Sequence, residues 1–340
     1  MGCGFLSTPA GAAVYKPGRF MAEFLQQLIN GLSLGAIYAL IALGYTMVYG
    51  VLRFINFAHS DVFMVGAFAG YYFGHTADWA VPLRWGSRVW LLTMPSWLVI
   101  PTNSWWGGLL ILILAMLLCA TLGVVIERTA YRPLRSRSKL TVLITAIGVS
   151  LFLENTGQFV FSANPRRFPL LFPETTFKLA GGLILSSTQV IVLAVTLALL
   201  TALEWIVQRS KIGTAMRALS FNPQAASLVG INNDVVISFT FGLGSALAAA
   251  GGILYSLNYP TIDPLMGILP GLKAFVAAVL GGIGNIPGAA LGGLLLGVIE
   301  TFVNGSQFST YTDAIAFALL ILILLFRPAG LLGKFQVEKV

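Results

Sequence analysis

The chain has 340 residues, of which 57% are hydrophobic and only 9% charged. A soluble domain carries about a quarter charged residues, so a soluble globular fold is excluded. The net charge of +8 is spread over short loops and is not a nucleic-acid signal. Two cysteines, Cys3 and Cys119, offer neither a disulfide framework nor a metal spacing.

The apolar runs are continuous and about 20 residues long, without period-two alternation, so helices and not a barrel span the membrane. The fold class expected is all-α, a polytopic helical membrane protein of about eight to nine membrane segments, some broken or re-entrant. Residues 1–20 have no apolar core of signal-peptide type, and Leu6 stands where a myristoylation motif needs Ser or Thr. They read as an extension, disordered or loosely held, ahead of a start at Met21. The membrane-spanning body is 21–333, followed by a tail, 334–340.

The first span covers Phe24 to Val51 and is broken by Arg53-Phe54-Ile55-Asn56-Phe57-Ala58-His59-Ser60-Asp61. A short second span, Val62 to Phe73, follows, with Ser60 or Asp61 expected as its cap. Residues 75–105 form an external, tryptophan-rich loop; within it the run from Val89 to Ile100 is too short to span and is expected to lie along the interface. Further spans cover Gly107–Ile126, Leu140–Phe161 and Thr188–Val207. The polar interruption 209–234 comes next. Within it Asn222 is an N-cap, Pro223 a first helical residue and Gly230 a C-terminal glycine, which marks a short helix between spans. Ala225, Leu228 and Val229 share one of its faces. A helix this short is marginal alone in water, so it is expected to dock on a partner. Val235–Leu257, Leu272–Leu280, Ala289–Val303 and Asp313–Phe326 complete the set. Gly281, Gly282, Gly284, Pro287 and Gly288 form a structural turn between two of them.

Counting cations over the loops gives twelve at the end that carries 209–234 and eight at the other, Lys273 among the eight. The excess places 209–234 and the C-terminus in the cytoplasm and the N-terminus outside. His59 is the only histidine in polar company. Asn56, His59, Glu154 and Asn155 are the candidates for lining a substrate path, since polar groups inside spans are costly. Glu300 lies near a span end and is expected to reach the interface. No Walker motif occurs, so the chain does not hydrolyse ATP. No residue set converges as an enzyme or metal site requires, and neither cofactor nor metal is expected.

Two stretches carry a family resemblance. Gln26 to Asp61, with Asn30-Gly31-Leu32-Ser33-Leu34-Gly35 and Asn56-Phe57-Ala58-His59, is similar to the first part of a branched-chain amino-acid ABC transporter permease of the LivH type. So is Leu272 to Ala289, with the ending Arg327-Pro328-Ala329-Gly330-Leu331-Leu332-Gly333. The resemblance implies an ATPase-coupling role for Pro223, Gln224, Ala225, Ala226 and Gly230, which match the importer motif E-A-A-x-x-x-G except that Gln224 replaces the acid. Shape rather than charge then carries the contact, with small residues at 225 and 226 allowing close approach. The partners it implies are a second related permease, two ATP-binding subunits, an external substrate-binding protein and membrane lipid. The location it implies is the bacterial inner membrane. A permease for urea or another small solute, or an ion-coupled secondary transporter, is the alternative.

Overall fold

A computed structural model describes residues 17–75, 80–85, 88–93, 100–135, 137–178 and 182–333. Its helices in chain order are α1 (Pro17–Leu52), α2 (His59–Gly74), α3 (Trp105–Ile126), α4 (Lys139–Phe161), α5 (Ser187–Arg209), α6 (Lys211–Phe221), α7 (Pro223–Leu228), α8 (Asn233–Asn258), α9 (Ile268–Gly281), α10 (Ile286–Asn304) and α11 (Thr312–Phe326). Seven of them, α1, α3, α4, α5, α8, α10 and α11, are long and apolar enough to cross a membrane, and α9 is a shorter apolar helix. The chain is a polytopic helical membrane protein. The extension expected at 1–20 lies outside the described residues except for its last four, which are already helical in α1; the tail 334–340 also lies outside them.

Among the described residues, sheet is confined to three antiparallel pairings: β1 (Ala80–Trp85) with β2 (Arg88–Thr93), β3 (Arg166–Arg167) with β6 (Thr261–Ile262), and β4 (Thr176–Lys178) with β5 (Ile184–Ser186). Residues 88–93, the first part of the run expected along the interface, form a hairpin strand; they include Val89 and Trp90, and β-branched and aromatic residues favour extended backbone. Residues 94–99, the rest of that run, lie outside the described residues.

The helices α1 and α8 form the buried centre, and their membrane-length windows are almost wholly covered by protein. Where α1 meets α10 the backbones touch: a Cβ on Gly35 would stand 2.7 Å from Leu294 Cα, and one on Gly297 only 2.2 Å from Gly35 N. Small residues four apart create that seam, and close packing is what drives helix association where lipid is as apolar as leucine. By contrast α3, α4, α5 and α11 turn Ile113, Phe152, Leu197 and Ile321 outward, a surface suited to lipid tails or to another membrane chain.

The bundle has two distinct ends. At one, Arg53 Nη2 donates to Ser220 O (3.1 Å) and Asn285 Nδ2 donates to Leu332 O (2.8 Å). This gathers the loop after α1, the α6–α7 region, the glycine turn and the C-terminal residues. At the other, Gln26 bonds Ile184, and β3 pairs with β6.

Candidate functional site

The short helix α7 is built from local punctuation. Asn222 Oδ1 accepts from Gln224 N (2.9 Å) and Ala225 N (3.0 Å), Pro223 fills the first turn, and Gly230 has φ +84°. Ile231 N donates to Ala226 O and Gly230 N to Ser227 O (both 3.1 Å). These two bonds satisfy the last carbonyls in a Schellman pattern. Ahead of α7 stands a helix absent from the sequence reading. In α6, Ser210 Oγ accepts from Gly213 N (3.0 Å), and Gly213, Met216 and Leu219 are buried at helical spacing. Its signal was present as an N-cap serine before KIGTAMRALSF. Arg217 Nη1 donates to Val207 O and Asn233 Nδ2 to Pro223 O (2.9 Å), so the loop is fastened to the spans on both sides.

Its faces divide sharply. Ala226 is only 3% exposed and packs on its own chain, whereas Leu228 is 88% and Val229 77% exposed, with Phe221 beside them. The close approach expected of both alanines therefore falls to Ala225 alone, which is exposed with Gln224. Ala226 is small because α7 must sit tightly on the chain that carries it. Three large apolar side chains, Phe221, Leu228 and Val229, are therefore left uncovered around α7.

Beneath this face lies a charged cluster. Where α3 ends, Glu127–Tyr131 is π-helical and Arg132–Leu134 is a 3₁₀ turn, a loosening that Pro133 enforces by removing a donor. The buried Glu127 accepts from Arg135 Nη2 and from Ser238 Oγ, and Asp234 accepts from Arg132 and from Arg135 Nη1 (2.7 Å). Burial pulls the Arg135 guanidinium below its usual pKa range, and Asp234 opposes that pull.

The break after α1 folds back into the bundle. Asn56 is buried, and its Oδ1 accepts from Tyr131 OH at 2.5 Å. His59 is buried with its ring 4.7 Å from that of Tyr45, occupying space that a Cβ on Gly44 would enter. Its Nε2 has no hydrogen-bond partner among the described residues. Neither Ser60 nor Asp61 caps α2. The helix starts earlier, at His59, so both lie inside its first turn; Ser60 Oγ donates back to Phe57 O (2.9 Å). Asp61 is buried at the positive end of the helix and accepts from Ser150 Oγ of α4 at 2.5 Å. Glu154, one turn beyond Ser150, is half-buried, while Asn155 faces outward and bonds its own helix at Leu151 O (2.7 Å). Asn56 and His59 therefore share the break, Glu154 approaches it through Ser150 and Asp61, and Asn155 stands apart.

The glycine turn reverses the chain between α9 and α10. Gly282 and Gly284 have φ +108° and +92°, which glycine adopts without strain. Gly281 and Gly288 face each other so closely that a Cβ on Gly281 would lie 1.9 Å from Gly288 O. Pro287 stands in the first turn of α10, and Asn285 accepts from Gly288 N at its cap. The ending Arg327–Gly333 closes over the turn, with Leu331 N donating to Leu280 O (2.9 Å) and Leu332 N to Gly281 O (3.0 Å).

Two expectations about charge are overturned. Lys273 is not a loop cation: it is buried, with Nζ 2.6 Å from Glu300 Oε1 and 2.7 Å from Asp313 Oδ1. Glu300 does not reach the interface; at 7% exposed it is held inside the bundle by Lys273. The pair ties the short α9 to α10 and α11. Among the described residues no group of His, Cys, Asp and Glu is arranged to hold a metal.

The capped helix α7, the glycine turn and the break after α1 are thus set on a bundle of many apolar helices. The family model described as the permease component of the branched-chain amino acid transport system matches residues 27–324. The high-affinity branched-chain amino acid transport system permease protein BraD of Pseudomonas aeruginosa is 42% identical over 94% of this chain and 98% of its own length. The LivH permease protein of the corresponding Escherichia coli system is 39% identical over 93% and 98%. A probable LivH of Methanocaldococcus jannaschii is 27% identical over 86% and 88%. No solved structure matches. The chain belongs to the family of membrane permease components of branched-chain amino acid transport systems, a non-catalytic part of such a system.

Proposed function

We propose that this chain is the membrane permease of an ATP-driven importer of branched-chain amino acids. The observation that carries the reading is α7: a helix capped at both ends, seated by Ala226, with Leu228 and Val229 almost fully exposed. A separate ATPase with an apolar groove is the partner that fits this face, and Pro223, Gln224, Ala225 and the turn at Gly230 shape the contact. A second related permease completes the pathway, two ATP-binding subunits drive it, and an external binding protein delivers the amino acid. The location is the bacterial inner membrane, with the N-terminus outside and α7 and the C-terminus in the cytoplasm. That orientation is supported by cations gathered at the α7 end, including Arg53, Arg128, Arg132, Arg135, Arg137, Lys211 and Arg217. Removing Lys273 from the external tally strengthens it. Asn56 and His59 lie where the broken α2 begins, as polar groups at broken transporter helices do; they are assigned to the path, with Glu154 at its margin.

The test is co-expression with the neighbouring transport genes and purification through a tag on this chain. Recovery of two ATPase subunits with a second permease, and ATP-dependent leucine uptake in vesicles containing them, is the expected result. Uptake by this chain alone in an ion gradient would overturn the reading.

A further inference from the structure

At the end of the bundle away from α7 lies an open cavity of about 380 Å³, lined by Asn30, Ser33, Leu34, Gln189, Asn258, Tyr259, Thr301 and Asn304. It falls at the lower end of the volumes that bind small molecules. Every lining residue but Leu34 is polar, and none is charged. Such a lining in a membrane chain is unusual, because polar groups there are normally consumed by helix packing.

The hydrogen bonds around Asn30 decide what the cavity offers. Ile184 N donates to Gln26 Oε1 (2.9 Å) while Gln26 Nε2 donates to Ile184 O (2.9 Å), which fixes the Gln26 amide. Ser186 N donates to Gln189 Oε1 (3.1 Å), which fixes the Gln189 amide. Both glutamines must then present nitrogen to Asn30, and both do so to Oδ1, at 3.1 and 2.7 Å. With its oxygen committed twice, Asn30 has only its amide nitrogen left, a donor and not an acceptor. Beside it, one turn along α1, the buried Ser33 hydroxyl has no hydrogen-bond partner among the described residues.

We propose that this cavity binds a free α-amino acid, with the Asn30 amide nitrogen and the Ser33 hydroxyl donating to its carboxylate. The two groups stand one turn apart on α1 in the cavity lining, each able to donate, and an uncharged lining suits a solute of zero net charge better than an ion. The proposal rests on the reading of the chain as an amino-acid permease and names where that solute is first held, at the face opposite the ATPase.

Asn30→Asp is the discriminating variant. An aspartate at 30 keeps both bonds from Gln26 and Gln189 and puts a negatively charged acceptor where the donor stood. In proteoliposomes holding the whole complex, leucine uptake at limiting substrate is expected to fall at least tenfold, with co-purification of the ATPase unaltered. In a second arm, Thr301→Cys is placed in a chain whose two native cysteines are serine, and labelling by a small methanethiosulfonate is followed. L-Leucine is expected to protect the thiol and leucinol, which lacks the carboxylate, is not. Unchanged uptake in Asn30→Asp, a thiol that is unreachable or unprotected, or equal protection by leucinol would each overturn the assignment. If Asn30→Asp does not assemble, the labelling arm decides alone. Absence of ATP-dependent uptake by the unmodified complex would instead sink the permease reading, which separates the two failures.

Discussion

Replacing Lys273 by Met removes a charge that two carboxylates share. Its Nζ stands 2.6 Å from Glu300 Oε1 and 2.7 Å from Asp313 Oδ1. The two acids are not equivalent, since Glu300 is 7% exposed and the Asp313 side chain 52%. Without Lys273, Asp313 returns to solvent, but Glu300 stays enclosed, and among the described residues its Oε2 already has no hydrogen-bond partner. Breaking a buried pair from the side that strands a charge costs about 3–5 kcal/mol. Glu300→Leu should cost less, about 1–3 kcal/mol, because Lys273 keeps Asp313. Asp313→Asn should cost about 1 kcal/mol or less, as for exposed pairs. The double variant Lys273→Met with Glu300→Leu strands nothing and should recover most of the loss. The assay is reversible unfolding of the detergent-solubilised chain in sodium dodecyl sulfate, followed by tryptophan fluorescence. The required order of loss is Lys273→Met, then Glu300→Leu, then Asp313→Asn, with the double variant milder than Lys273→Met alone. A Lys273→Met chain within about 1 kcal/mol of the parent, or a double variant worse than it, would refute the burial argument.

Four further outcomes follow from the geometry. Gly282 and Gly230 both have positive φ, but a Cβ on Gly282 would stand 2.5 Å from Gly333 N, whereas none lies within 4 Å at Gly230. Gly230→Ala should therefore cost only the left-handed backbone term of about 1–2 kcal/mol, and Gly282→Ala more, both read from the same unfolding curves. Leu228→Asp with Val229→Asp should leave stability within about 0.5 kcal/mol, as exposed substitutions do, yet abolish co-purification with the ATPase. Ala226→Trp should show the opposite order of effects, losing about 1–3 kcal/mol by overpacking before any coupling is measured. Tyr131→Phe strands a buried Asn56 Oδ1 and should cost about 1–3 kcal/mol; a loss below about 0.5 kcal/mol would show that water replaces the hydroxyl.

What was legible in the chain was whatever its local chemistry determines. The α7 helix could be read from Asn222, Pro223 and Gly230 because caps act within three residues of the backbone they satisfy. The glycine turn was legible for the same reason, since only glycine takes the φ values of Gly282 and Gly284 freely. Membrane spans were legible from length alone. The failures have the opposite character. Ala226 and Ala225 are neighbours of equal size, and nothing local says which one faces its own chain. Lys273 read as a loop charge because its partner Glu300 lies 27 residues away. Yet the information was not absent. Since α9, α10 and α11 alternate in direction, the start of α9, the end of α10 and the start of α11 must lie at one end of the bundle. Lys273, Glu300 and Asp313 occupy those three positions. In a polytopic chain the depth of a charge along its span is more informative than its separation in sequence. Opposite charges at equal depth on packed helices have strong reason to pair, because lipid offers them no other partner.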